Sequence, residues 1–438
     1  MKICMFTNTY LPHVGGVAKS VHTFTRNLRE FGHEVLIVAP QFPNTDPKND
    51  YNVYRLPAIQ NFNGSDFSVH IPVPSHLKER LNSFEPDIMH THHPFLLGDT
   101  ALRAARQHNV PLIFTHHTRY EEYTHYVPFD SKILKRFVIS LSTQYANMCN
   151  RVIAPSKSIA RLISERGVNT PISEIPTGID PKFFDHGNGN EKRKELNIPE
   201  NAFVLGHLGR LAPEKNLVFL ADAAADFIAE NEDAYFLVAG NGPEKEKIDD
   251  IFLQKGISSR LIQTGTQTGD DLFSVYRAMD VFIFSSFSET QGLVIAEAMA
   301  ASLPVIALDA PGVREVVEDG KNGRLLAGES KKSDFVQAIQ ELYLSPEKTK
   351  SMREKARQTA AELTHDKCSR KLEELYAEAI RNHGHEQKKP DLKTWEGLQK
   401  SLDAEWDLLT QKTSAILNAV YPESSRANIG LDVNEKNS

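Results

Sequence analysis

Two carboxylates, Glu289 and Glu297, with seven residues between them, bracket the segment Ser285-Ser286-Phe287-Ser288-Glu289-Thr290-Gln291-Gly292-Leu293-Val294-Ile295-Ala296-Glu297. The apolar run Val281-Phe282-Ile283-Phe284 reads as a strand and the polar stretch after it as a turn. Gly292 reads as the opening of an apolar helix that ends near Ala301. A helix that begins at the carboxyl end of a strand offers unpaired N–H groups, which suit an anion. A carboxylate on either side of a bound phosphate can accept hydrogen bonds from sugar hydroxyls. Those are the requirements for recognising a sugar nucleotide.

A second loop, Gly206-His207-Leu208-Gly209-Arg210-Leu211-Ala212-Pro213-Glu214-Lys215-Asn216, brings two cations, Arg210 and Lys215, to a strand end and helix start. That pairing suits a diphosphate, although Lys and Arg beside a loop are more often only solvated. It precedes the two carboxylates by about 80 residues, and the combination is far more specific than either part. Val238-Ala239-Gly240-Asn241-Gly242-Pro243-Glu244 places glycines at another strand end, which fits either a close ligand approach or a plain tight turn. Near the N-terminus, Gly15 and Gly16 follow the first strand, where a Cβ would obstruct a ligand. His90, His92 and His93 end one strand and His116 and His117 another. Their spacing matches no metal-binding pattern, so no metal is expected. Nothing resembles a P-loop or a nucleophile elbow.

These motifs together resemble retaining, nucleotide-sugar-dependent glycosyltransferases of family 4, over roughly residues 1–380. His90-Thr91-His92-His93-Pro94-Phe95-Leu96-Leu97-Gly98 and His117-Thr118-Arg119-Tyr120-Glu121 are similar to the bacterial diacylglycerol glucosyltransferase branch. The resemblance implies a GT-B architecture, two Rossmann-like domains facing a central cleft. It implies a catalytic group of His117, Arg210, Lys215 and Glu289, with His116 the alternative histidine. It implies donor contacts at Gly16, Gly240, Gly242, Thr264, Gly292, Leu293, Val294 and Glu297, and acceptor contacts at Gly15, His92, His93 and Tyr120. The expected reaction moves a hexose, glucose, from a UDP-linked donor to a lipid hydroxyl such as that of diacylglycerol, with retention. No cofactor and no metal are expected, with Arg210, Lys215 and helix dipoles supplying the charge. A soluble acceptor, a sugar-nucleotide epimerase or hydrolase on the same fold, and a sugar-nucleotide-binding regulator are the rival readings.

The elements that must position these residues form two β-α series. Short Ile-, Val- and Phe-rich runs at Lys2–Thr7, Val35–Ala39, Asp87–His90, Leu112–Thr115 and Arg151–Ala154 read as buried parallel strands. The pattern restarts at Phe203–Gly206, Tyr235–Ala239, Leu261–Thr264, Val281–Phe284 and Pro304–Ala307. Residues 1–180 are therefore expected to form the acceptor domain and 181–364 the donor domain. The join is placed within Ile175–Asn197, whose polar, Gly-rich Asp185–Glu191 reads as a linker. Helices are expected at Lys332–Leu344, Pro346–Leu363 and Asp366–Arg381, with residues 365–390 returning to the first domain. Residues 391–438 are expected to hold an amphipathic helix, Leu392–Val420, whose face carries Trp395 and Trp406, and then a disordered tail.

A net charge of −7 argues against general nucleic-acid binding. Cys4, Cys149 and Cys368 have no redox or metal spacing; Cys4 and Cys149 lie in apolar contexts and read as buried thiols, and a reducing cytoplasm fits. No apolar run approaches a membrane span, so any membrane contact is expected to be peripheral, on the inner face. Candidates for that contact are the aromatic Arg119–Pro128 segment, the amphipathic Lys132–Met148 and the short basic stretch Leu77-Lys78-Glu79-Arg80-Leu81. Ordinary surface helices are the plain alternative. The sequence sets no oligomeric state.

Overall fold

The computed structural model describes residues 1–12, 15–42, 45, 51–59, 69–70, 75–122, 132–287, 289–384, 408, 411–412 and 415. The chain forms two compact units. The first comprises Met1–Pro155, Ile159–Ile175 and everything from Ser369, and the second Ser156–Ser158 and Pro176–Cys368.

In the first unit the chain runs β1 (Lys2–Phe6), α1 (Gly16–Glu30), β2 (Glu34–Pro40), β3 (Val53–Leu56), β4 (Ala58–Ile59), β5 (Val69–His70) and α2 (Ser75–Phe84). It continues with β6 (Ile88–Thr91), α3 (Leu97–His108), β7 (Leu112–Thr115), α4 (Lys132–Asn147), β8 (Arg151–Ala154), α5 (Lys157–Glu165) and β9 (Ile172–Glu174). Seven parallel strands lie in the order β3-β2-β1-β6-β7-β8-β9. Strand order reverses between β1 and β6, and that is where an open α/β sheet leaves a crevice beyond its carboxyl ends.

The second unit repeats the plan with α6 (Gly189–Glu195), β10 (Phe203–Leu208), α7 (Leu217–Glu230), β11 (Ala234–Ala239), α8 (Lys245–Gln254), β12 (Leu261–Gly265), α9 (Gly269–Arg277) and β13 (Val281–Phe284). Then come α10 (Leu293–Ala300), β14 (Val305–Leu308), β15 (Gly323–Leu326), α11 (Lys332–Leu344), α12 (Pro346–Ala361) and α13 (His365–Gly384). Its strand order is β12-β11-β10-β13-β14-β15, with the reversal between β10 and β13. The continuous apolar run of β13 has a direct cause. Phe282 and Phe284 enter the core on one face of the sheet, while Val281 and Ile283 enter the core on the other.

The strands absent from the sequence reading are β3, β9 and β15, with the short antiparallel pair β4 and β5. The first three lie at sheet edges and carry Arg55, Glu174 and Arg324, so no uninterrupted apolar run marks them. Residues 185–191 are not a linker. Gly187 and Gly189 pack so closely on α9 that a Cβ would lie 2.5 Å from the Phe273 carbonyl carbon and 2.2 Å from the Arg277 oxygen. The chain passes to the second unit between Ile175 and Pro176.

Helix α13 belongs to the first unit from Ser369 onward. The buried Ser369 hydroxyl accepts from Asn27 Nδ2 at 3.0 Å, and Glu373 pairs with His33 at 2.8 Å. Of the expected C-terminal helix, Leu408, Gln411, Lys412 and Ala415 are described, all helical. Leu408 joins the first unit's core, Gln411 Nε2 donates to the Leu141 carbonyl at 2.8 Å, and Lys412 pairs with Asp99 at 2.8 Å. Trp395, Trp406 and the expected apolar face around them lie outside the described residues, as does Tyr123–Pro128. Among the described residues no helix is long and apolar enough to cross a membrane.

Candidate active site

In the second unit the loops after β10, β11 and β12 are laced by backbone hydrogen bonds. Gly209 N–H donates to the Ala239 carbonyl, Leu211 N–H to Asn241 and Gly240 N–H to Gly265, at 2.8–3.0 Å. Gly240 and Gly242 are required by this lacing. Both have positive φ, and a Cβ would sit 1.8 Å from the Gly209 oxygen and 2.3 Å from the Leu211 oxygen. Their role in the structure is thus to let neighbouring loops approach, which fixes the backbone that carries Arg210. Thr264, at the end of β12, is half-buried and its carbonyl accepts from Gln267 Nε2 at 2.8 Å.

The loop after β13 is tied to the same platform. Ser285 Oγ donates to the carbonyls of Lys215 and Asn216, and Ser286 Oγ to that of Glu214. Gly292 takes the left-handed conformation, φ 72°, as N-cap of α10, and a Cβ there would lie 2.7 Å from the Gly312 oxygen. No side chain caps α10. The first-turn residues Leu293 and Val294 are half-buried, at the positive end of the helix dipole.

Both cations of this loop cluster hold carboxylates. Lys215 Nζ lies 3.1 Å from Glu289 Oε2, and Arg210 pairs with Glu214 at 2.7 Å. Burial would raise the Glu289 carboxyl. Lys215 and the N–H groups of Gly292 and Thr290 outweigh it and hold the group below the ordinary carboxylate value. Glu214 is held down by Arg210 against the same opposing effect of burial. Glu297 is buried on α10, and the Tyr276 hydroxyl donates to its Oε2 at 2.9 Å. Burial, reinforced by Glu297, keeps that phenol protonated, its ionisation pushed well above the usual range.

The first unit gathers its histidines at the switch point. Asn8, one residue past Thr7 at the end of β1, fixes the loop after β6. Its backbone N–H donates to His93 Nδ1 at 3.1 Å, its Nδ2 donates to the Phe95 carbonyl at 3.2 Å, and its Oδ1 accepts from Leu97 N–H at 3.1 Å. His93 therefore carries its proton on Nε2. His90 is anchored on both sides, by the Tyr376 hydroxyl at 2.6 Å and Thr115 Oγ1 at 2.7 Å. His92 is fully buried behind His117, ring to ring, with Nδ1 2.8 Å from His117 Nε2. Of the doubled histidines, His116 is buried against Phe114 and Tyr120, whereas His117 is half-buried. Burial depresses all five, His90 and His93 to about 3 and His116 to about 4, so each is neutral at pH 7.

Tyr120 stands edge-on to Phe95 and His116, its hydroxyl buried without a partner among the described residues. Arg119 and Arg166 both hold Glu121, which fixes this turn. Gly15 is extended, φ −172°, and Gly16 is helical, so neither needs to be glycine for its backbone. A Cβ on Gly16 would meet nothing within 4 Å. Among the described residues no three His, Cys, Asp or Glu are grouped to hold a metal ion.

Asn8, Tyr276, Ser285 and Ser286 were not legible in the sequence. Each acts through a partner distant in the chain, and no local spacing marks such a pair. Glu214 carried a signal, four residues from Arg210.

Residues 14–183 match the family profile described as Glycosyltransferase Family 4, and residues 188–359 the one described as Glycosyl transferases group 1. The chain is 31% identical over 386 residues to the alpha-monoglucosyldiacylglycerol synthase of Streptococcus pneumoniae, covering 87% of this chain and 86% of the relative. It is 29% identical over 396 residues to the protein of the same name from Acholeplasma laidlawii, covering 87% of this chain and 98% of the relative. The crystal structure of Anabaena HepE in complex with UDP shares the fold, with a TM-score of 0.71 at 20% identity, over 86% of this chain and 100% of that one. Two Rossmann-like units with the family's loops at both switch points, and this identity to near full-length relatives, place the chain in glycosyltransferase family 4, with the GT-B fold.

Proposed function

We propose that this glycosyltransferase moves glucose from UDP-glucose to the hydroxyl of diacylglycerol, with retention and without a divalent metal. The observation that carries the reading is the charge arrangement of the second unit. Arg210 is paired with Glu214 in the loop after β10, and Lys215 from the same loop is paired with Glu289, which precedes the uncapped start of α10 at the switch point. A diphosphate entering there exchanges places with Glu214 and Glu289 on the two cations. Glu289 is then released toward sugar hydroxyls, and Glu297 is held for the ribose. As the sugar departs, negative charge grows on the phosphate facing Arg210, Lys215 and the α10 N–H groups, which stabilise it in place of a metal. The leaving phosphate accepts the acceptor's proton on the face being attacked, so no carboxylate base is required.

The lipid acceptor is supported by the relatives' names and by α4. Tyr145 and Leu141 on its apolar face are buried and Phe137 is half-buried, but Ile133 is 50% exposed beside exposed Lys132 and Arg136. An apolar side chain among cations suits an anionic bilayer surface on the cytoplasmic side. By contrast Leu77 and Leu81 of α2 are core residues, and that segment offers no such face. The test is turnover of UDP-glucose with diacylglycerol in anionic mixed micelles, in chelator, with the product's anomeric configuration read by NMR. An α-linked glucolipid is expected. Transfer only to soluble sugars, free glucose without acceptor, or dependence on added Mg²⁺ would overturn the corresponding part of the reading.

A further inference from the structure

The hydrogen bond between His92 and His117 has a direction that burial decides. The two nitrogens lie 2.8 Å apart. A neutral imidazole has one N–H and one lone pair, so one ring donates and the other accepts. His92 Nε2 is buried and has no partner among the described residues. If His92 accepted at Nδ1, its proton would sit on Nε2 and a buried N–H would go unsatisfied. Donation from Nδ1 strands only a lone pair, the defect that folded proteins tolerate more readily. The ring is also held in place. It packs tilted against His90 at 4.1 Å and stacks with His117 at 5.1 Å, and His90 is pinned by Tyr376 and Thr115.

We propose that His92 is a positioning residue: it donates from Nδ1 to His117 Nε2 and so fixes His117 as the Nδ1–H tautomer. Both nitrogens of His117 are then committed. Nε2 accepts from His92, and Nδ1 carries the proton. His117 therefore acts as a hydrogen-bond donor and not as a general base. His92 itself does not touch the acceptor, in contrast to the expectation from its motif. The inference rests on the transferase reading above and on the family resemblance that puts His117 in the catalytic group, and it explains how that reaction proceeds without a base from this strand end.

The experiment has two arms. Long-range ¹H–¹⁵N correlation on the full chain, with His117 assigned through its loss in His117→Gln, reads the tautomer directly and needs no substrate. His117 is expected to be protonated on Nδ1 in the wild type, and in His92→Phe, which keeps a ring but removes the donor, its Nε2 nitrogen is expected to shift to the position of an imidazole lone pair that accepts no hydrogen bond. In the kinetic arm, His92→Phe lowers kcat roughly tenfold to a hundredfold, and His92→Asn, whose amide N–H replaces Nδ1–H, returns it to within about threefold of wild type. No histidine-like ionisation limits kcat on the acid side. A wild-type His117 protonated on Nε2 overturns the proposal, and so does a folded His92→Phe with wild-type kcat. If His92→Phe fails to fold, the wild-type spectrum and His92→Asn still decide. A correct tautomer in a protein that transfers no glucose to diacylglycerol would sink the functional reading and leave this one standing.

Discussion

At the scale of single residues, the second unit keeps its cations occupied before substrate arrives. Lys215 holds Glu289 and Arg210 holds Glu214. Lys215→Ala should therefore lower kcat more than it raises the donor KM, because its charge matters most as the phosphate gains charge. Initial-rate kinetics check this, and a change confined to KM would reduce Lys215 to ground-state binding. Glu297 presents a different case. Its carboxylate is oriented by the Tyr276 hydroxyl at 2.9 Å. Glu297→Ala should weaken UDP binding by about 1.5–3 kcal/mol, tenfold to a hundredfold, through loss of a charged hydrogen-bond acceptor. Tyr276→Phe should leave the carboxylate in place but less constrained, and cost UDP affinity less than Glu297→Ala does. Calorimetric titration with UDP ranks the two, and equal losses would mean that orientation, not the carboxylate, sets the affinity.

At the scale of elements, glycines of the two units do opposite work. Gly240 is glycine because the loop after β10 passes through the volume of its Cβ, whereas Gly16 borders open room. Gly240→Ala should destabilise the second unit by roughly 1–3 kcal/mol or more, with displacement of the Arg210 loop. Gly16→Ala should leave stability unchanged or raise it by up to about 1 kcal/mol, yet raise KM. Thermal denaturation beside kinetics separates them; a Gly16→Ala protein with normal KM would show that the room at α1 is not used by substrate. Among the described residues, the C-terminal segment is held by Leu408 in the core and by Gln411 and Lys412 on α4 and α3. Leu408→Asp should release it. Trp395 and Trp406 are the chain's only tryptophans, so a change in intrinsic emission in this variant reports the release, and unchanged emission argues against it.

At the scale of the whole molecule, buried neutral histidines tie stability to pH. Burial lowers His90 and His93 to about 3 and His116 and His207 to about 4, against 6.5 for a free side chain. The unfolded chain binds these protons first as pH falls. The histidines' contribution is thus complete above about pH 6.5 and is lost progressively from there down to about 4 for His116 and His207 and about 3 for His90 and His93. Each fully titrating histidine contributes a slope of about 1.4 kcal/mol per pH unit within that window. Urea midpoints should therefore fall steeply between pH 6.5 and 4.5, and His207→Phe should flatten the slope by about one proton. A midpoint independent of pH in this range would show that the histidines are solvated in the folded state.

The sequence by itself determined the architecture and the family. Central strands such as β13 are buried on both faces and must be apolar throughout. Helix starts such as Gly292 need a residue that accepts positive φ, and the cations and carboxylates of one site lie on loops of fixed spacing. Edge strands β3, β9 and β15 escaped because one-sided burial leaves no continuous apolar run. Only the tertiary structure decided why Gly240 is glycine while Gly16 leaves space, which histidine of the 116–117 pair reaches the surface, and that Asn8, Tyr276 and Tyr376 hold the site residues. These facts depend on contacts between residues up to 286 positions apart, as between His90 and Tyr376. Local periodicity carries burial and turn geometry, but a hydrogen bond between distant strand ends exists only once the sheet order has brought them together.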